Sequence, residues 1–290
     1  MNELLPSESS LLVPEIPTDL PRIQVDTAWA IDVDRTLSSV DAGLQRLASL
    51  GEAYGIPGIQ LFEGYQKAKD AKVKFDPLES YRTQLHPTAY KEFCTTLSRP
   101  DLEPAITYAD TPRFLGRIVG PRTVLTYAQH VPFQRIKLQS LAYRGYAHIL
   151  DHTNKGPLIE SWRAPTGAFD FLGISKEGES LAIYSANRVN LIDDNDQSHQ
   201  NLPPESTGFY LRRPEETNIV PPSSSLPEGV VAISSLDEIP DYNVSHSLPE
   251  SPEEPFAYIP LSEARRPLLW LGGILVTSLT ADELEGSRTA

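Results

Sequence analysis

The sequence predicts an α/β fold: a Rossmann-like parallel sheet with helices on both faces, and an all-helical insert directly after the first strand. Three observations carry this. Short apolar runs ending at turns or acids recur at residues 29–33, 123–127, 147–150 and 189–192, the pattern of strands buried on both faces. Amphipathic stretches with helix start and stop signals separate them. Between residues 38 and 120 no strand pattern appears.

The chain divides accordingly. Residues 1–22 are rich in Pro, Ser and Glu and read as a flexible arm. Residues 23–37 and 121–240 read as the core, 38–120 as the insert, and 241–290 as an acidic, proline-rich tail. In the insert, Ser38 and Asp41 have the spacing of a capping box, and Leu44, Leu47 and Leu50 form a helical stripe ending at Gly51. Pro87 opens a helix carrying Tyr90, Phe93, Cys94 and Leu97. Thr111-Pro112 reads as an N-cap and first-turn proline before Phe114, Leu115 and Ile118. In the core, 132–143 reads as an amphipathic helix, 158–162 as a short helix, and 208–212 and 230–234 as further strands. One apolar island at 268–279 interrupts the tail. At roughly a dozen residues it is short of the ~20 needed to span a bilayer, and it reads as a helix or strand docked on the core.

Composition narrows the partners. Among 290 residues the formal net charge is −14, which argues against nucleic acid, whose phosphates need basic neutralisation. A small phosphorylated molecule stays compatible, because a local lysine and a bound cation offset local charge. The single cysteine, Cys94, excludes an intramolecular disulfide and reads as a buried helical apolar residue. The first residues lack a basic n-region and an apolar h-region, so a cytoplasmic location is expected and a membrane is not expected as a partner.

The chemistry concentrates at the first strand. Trp29-Ala30-Ile31 leads into Asp32 and Asp34, two positions apart. Strand alternation puts such residues on one side. In open α/β sheets the functional crevice lies outside the carboxyl ends of the strands. Asp32 and Asp34 can therefore address one site there. A carboxylate nucleophile divides phosphate ester hydrolysis into two easier steps, and a second acid protonates the leaving oxygen and later activates water. A carboxylate and a phosphate approach only with a cation between them, and Mg²⁺ suits such oxygen donors.

Asp32-Val33-Asp34-Arg35-Thr36-Leu37, after its apolar lead, resembles the first signature of the haloacid dehalogenase-like superfamily of phosphatases. Leu125-Thr126-Tyr127 resembles the second, Asn154-Lys155-Gly156 the third, and Leu191-Ile192-Asp193-Asp194 the fourth. The resemblance spans roughly residues 25–240. It implies Asp32 as nucleophile and Asp34 as acid and base, with Thr126 bonded to a phosphoryl oxygen and Lys155 neutralising the same group. Mg²⁺ would be held by Asp32, the Asp34 backbone carbonyl, Asp193 and Asp194. Thr36 would support the loop, and Asp196 is a weaker neighbouring acid with helix capping as its plainer role. An acid at position 34 favours phosphoryl transfer over dehalogenation. The insert resembles the helical cap of members acting on small phosphorylated metabolites, and Ala128 departs from the glycine common there. Lys137 competes with Lys155 for the lysine's role but reads as a solvated helix face. His130, His148, His152 and His199 show no metal spacing, and Arg82, Arg113 and Arg117 read as surface residues of the insert. The expected activity is a Mg²⁺-dependent phosphatase. The alternatives are a phosphomutase of the same superfamily, or a catalytically weak binding or scaffold module.

Overall fold

Strand β2 (Arg22–Ile31) runs through the middle of the sheet. Alternation sends Trp29 and Ile31 to one face and Ala28 and Ala30 to the other, and all four are buried, so both faces of the sheet are covered. The computed structural model describes residues 11–71, 73, 75–99, 101–102, 105–118, 120–127, 131–141, 143, 145–150, 154–216, 226–240, 255–266, 268–271 and 274–277.

On one side β2 is followed, all in parallel, by β3 (Arg122–Tyr127), β4 (Gly145–Leu150) and β11 (Ile274–Thr277). On the other side come β6 (Ser180–Asp193), β7 (Gly208–Leu211) and β8 (Val230–Ile233), also parallel. The order therefore reverses at β2, the kind of switch point outside which open α/β sheets place their functional crevice, at the carboxyl ends of the strands.

Antiparallel strands extend this parallel core. β5 (Phe169–Ile174) folds back on the first half of β6, and β9 (Ala257–Pro260) pairs with β5. β10 (Leu268–Leu271) pairs with β11, and β1 (Leu11–Leu12) with β10. The stretch read as an arm thus supplies β1, and the first strand begins at Arg22. The stretch read as a tail supplies β9, β10 and β11, and the apolar island is two strands, its last residues lying outside the described ones. β5 has no counterpart in the sequence reading: all six of its residues are buried, and the alternation begun by Phe169-Asp170-Phe171 stops at Leu172, too short a run to mark a strand.

Between β2 and β3 the chain forms α1 (Val40–Ala53), α2 (Gly58–Ala71), α3 (Glu79–Gln84), α4 (Pro87–Leu97) and α5 (Thr111–Arg117). The first four share an apolar cluster of their own that includes Leu44, Leu47, Leu61, Tyr81, Phe93 and Leu97. Tyr81 stacks on Phe93 with ring centroids 4.6 Å apart. The cap of α1 is Ser39, whose hydroxyl accepts from the Ala42 N–H, rather than Ser38. Ser38 is instead buried, its hydroxyl bonded to the Val33 carbonyl. It bridges both Asp34 and Thr107, so the chain enters and leaves the helical layer at one point. Asp110, not Thr111, is the N-cap of α5. Its carboxylate accepts from Arg213 at 2.6 Å, while the same guanidinium donates to the Thr36 carbonyl at 2.7 Å and lies over the Tyr108 ring.

Helix α6 (Val131–Ser140) follows β3, and α7 (Gly156–Glu160) follows β4. They cover opposite faces: Leu138 packs with Trp29 and Ile31, Ile159 with Ala30 and Leu191. Gly156 is set by close approach. A Cβ there would fall inside contact distance of the Gln200 and Asn201 carbonyls, both backbone atoms. Gly156→Ala is expected to cost about 1–3 kcal/mol through overpacking, read as a lower urea midpoint with an unchanged slope. Among the described residues no helix is long and apolar enough to cross a membrane.

Candidate active site

Three strand ends and the start of one helix bring the site together. The Asp32 N–H donates to the Ile192 carbonyl at 2.9 Å, which sets Asp32 beside Asp193 at the ends of β2 and β6. Asp32 lies two positions after Ala30 and Asp193 two after Leu191, and both meet Lys155 from the side covered by α7. Lys155 is the residue before α7 and comes from that same side. Its ammonium donates to Asp32 Oδ1 and to Asp193 Oδ2, both at 2.5 Å. All three side chains are buried. The other Asp193 oxygen accepts from the Asn195 N–H at 2.8 Å.

Asp194 completes an acidic triad. One carboxylate oxygen from each of Asp32, Asp193 and Asp194 lies within 4.8 Å of the others. Arg35 reaches Asp194 at 3.6 Å and the buried Glu216 at 3.8 Å. Its backbone φ of 59° lies in the left-handed region, at about 1 kcal/mol for a residue with a Cβ. Glu216 in turn accepts from the Tyr108 hydroxyl at 2.5 Å.

Burial first, and then the neighbouring charges, govern the titration of these groups. Burial raises the Asp32 carboxyl above its ordinary value, Lys155 opposes this, and Asp193 and Asp194 add to it. Burial, and then Asp193, push Asp194 up to about 7. Against the desolvation that would lower it, Asp193 and Asp32 hold the Lys155 ammonium above its ordinary value.

Asp34 stands apart in its partners. Lys137 of α6 donates to its two oxygens at 2.5 and 2.7 Å, and Gln134 donates to Oδ2 at 2.9 Å. Although burial opposes it, Lys137 and then Gln134 hold Asp34 below its ordinary value. Its charge is still felt by Asp32 and Asp194. Alternation does not carry from Asp32 to Asp34, because the strand ends at Ile31 and the chain turns at Arg35. Lys137 is buried rather than a solvated face. The two lysines divide: Lys155 serves Asp32 and Asp193, Lys137 serves Asp34.

Thr126 lies at the end of β3, adjacent to β2, and its buried hydroxyl has no hydrogen-bond partner among the described residues. The Thr36 hydroxyl is likewise buried without one, while its carbonyl takes Arg213. Asp196 opens a short 3-10 helix whose N-cap is Asn195. His199 is buried beside the Asp193 carbonyl at 3.3 Å, and His148 is buried in β4. Ala128, His130 and His152 lie outside the described residues. Arg113 and Arg117 are tied to Asp237 and the Leu236 carbonyl, and Arg82 to Glu79, so none is directed at the acids. Gln134, Arg213 and Glu216 had no signal in the sequence.

No protein-family profile and no curated protein matches the chain. Among solved structures, a haloacid dehalogenase-like hydrolase from Burkholderia xenovorans LB400 aligns at 18% identity with a TM-score of 0.42, over 73% of this chain and 96% of that one. A haloacid dehalogenase-like family hydrolase from Xanthomonas campestris aligns at 12% identity with a TM-score of 0.36, over 74% of this chain and 93% of that one.

Proposed function

We propose that the chain is a Mg²⁺-dependent phosphohydrolase of the haloacid dehalogenase-like superfamily, acting on a small phosphorylated metabolite. The observation that carries this reading is the convergence of Asp32, Asp193 and Asp194 around Lys155 at the switch point of the sheet. The donor set also fits the metal. It is made only of carboxylate oxygens, and burial and mutual repulsion leave Asp194 needing either a proton or a further cation. Mg²⁺ bound by Asp32, Asp193 and Asp194 would supply charge neutralisation for the incoming phosphoryl group.

The residues divide the rest of the work. The Asp32 carboxylate attacks phosphorus, and the bond from phosphorus to the leaving oxygen breaks. Lys137 and Gln134 hold Asp34 ionised in the free site, so Asp34 takes up the proton that the substrate's phosphate monoanion brings and delivers it to that oxygen. Water then attacks the aspartyl-phosphate and loses its proton to Asp34, and the bond from Asp32 to phosphorus breaks. The Thr126 hydroxyl, buried and without a partner among the described residues, donates to a phosphoryl oxygen. Lys155 neutralises charge beside it. The helical layer of α1–α4 serves as a cap that excludes water and reads the substrate.

The test joins binding and turnover. Mg²⁺ is expected to raise the melting temperature, and the increment to grow as pH rises through about 7, where Asp194 gives up its proton. Without metal, the raised Asp194 value favours the fold below about pH 4, and this is lost as pH rises through its folded value. Turnover of a panel of phosphate monoesters is expected to require Mg²⁺. An intact fold with no turnover across the panel favours the scaffold alternative.

A further inference from the structure

We infer that Lys137 and Gln134 are the positioning pair for Asp34, and that α6 couples this acid to the helical layer. The inference rests on the hydrolase reading above. Its own basis is geometric. An aspartate carboxylate ordinarily rotates about its last torsion among several orientations. Here both oxygens of Asp34 are claimed by one ammonium, and Oδ2 takes a second donor from the amide of Gln134. The two donors sit three residues apart on α6, one above the other on a single helical face. The carboxylate plane is thereby fixed relative to the helix axis.

The helix itself is gripped from two sides. Leu138 packs into the cluster that lines the sheet beside Trp29 and Ile31. Ile136 packs into the cluster of α1–α4, with Phe133 against it. The Ser140 hydroxyl donates to the Leu97 carbonyl at the end of α4, at 3.1 Å. The Lys137 ammonium also lies 5.0 Å from the centre of the Phe133 ring, which belongs to that second contact. A shift of the helical layer against the sheet is transmitted to α6, and α6 carries both partners of Asp34. Lys155 and α7 lie on the other face, and among the described residues their apolar cluster includes none from α1–α4.

A group that orients an acid matters most where the reaction needs that acid's proton. An alkyl phosphate such as glycerol phosphate has a poor leaving group that must be protonated. A dinitrophenyl phosphate leaves as a stable anion without a proton. For Gln134→Leu and Lys137→Met, kcat/KM on the alkyl ester is expected to fall about 10- to 100-fold. On the dinitrophenyl ester the fall is expected to stay under about threefold. Asp34→Asn should lose more than either on the alkyl ester, and should lower kcat on both esters, because it also removes the base that activates water. Gln134→Leu keeps all charges and carries the test if Lys137→Met does not fold. Equal losses on both esters, or no loss on either, overturn the inference while the hydrolase reading stands. Absence of turnover on both esters by the unaltered protein overturns the hydrolase reading and this inference with it.

Discussion

Asp32→Asn is expected to lower kcat on the order of 10⁴- to 10⁶-fold, the scale of removing a covalent nucleophile. The amide cannot form the acyl phosphate, and neither Asp193 nor Asp194 can take its place. Asp193 is held by Lys155 and by the Asn195 N–H, and Asp194 faces Arg35. The folded state should not suffer. Burial, and after it the neighbouring carboxylates, raise the proton affinity of Asp32, so a neutral amide relieves both desolvation and repulsion. Lys155 keeps Asp193 as its partner. The expected pairing is an inactive protein with an undiminished melting temperature in the absence of Mg²⁺. A parallel loss of melting temperature and turnover would mean that Asp32 is a structural residue.

Lys155→Met is expected to do the reverse in the metal-free protein. Two buried carboxylates then face each other with no cation between them. Breaking a buried ion pair by removing one partner costs about 3–5 kcal/mol. Against a domain stability of about 5–15 kcal/mol, this is a large share. Mg²⁺ should return part of it, because a divalent cation between Asp32 and Asp193 replaces the lost ammonium. Urea melts with and without Mg²⁺ measure both quantities. A metal response in Lys155→Met no larger than in the unaltered protein would argue against Asp32 and Asp193 as metal ligands. Turnover should fall as well, since among the described residues Lys155 is the cation paired with Asp32.

Much of the site was legible because it violates the pattern around it. A strand buried on both faces tolerates almost no acid, so Asp32 after Trp29-Ala30-Ile31 and Asp193 after Leu191-Ile192 stand out at once. The structure sets these two side by side and brings Asp194 and Lys155, both named from the sequence, against them. The alternating order of strands and helices likewise declared the parallel sheet. Lys137 was illegible for a different reason. Whether a lysine on an amphipathic helix meets solvent depends on what packs above it, and its partner lies 103 positions away. Arg213 and the Thr36 carbonyl, 177 positions apart, are equally silent in sequence. Strands β5 and β9 were hidden, and the docked island at 268–279 was legible without its division into β10 and β11, because short apolar runs lack a period and proline-rich flanks resemble linkers.

The meeting of Ser38 with Asp34 and Thr107 bears on the order in which the chain folds. Pairing β2 with β6 joins residues 161 positions apart, and searching for so distant a partner is slow. The helices between Ser38 and Thr107 make contacts mainly among themselves, through Tyr81, Phe93 and their neighbours. Once they collapse, the segment is a closed loop whose ends touch. It then counts in the search as a short link between β2 and β3 rather than a long one, and each halving of an effective loop saves only about 0.6 kcal/mol of closure entropy. The helical layer thus shortens the search for the β2–β3 pair by a modest factor. The β2–β6 pairing, which brings Asp32 to Asp193, would be left as the late event that assembles the acids.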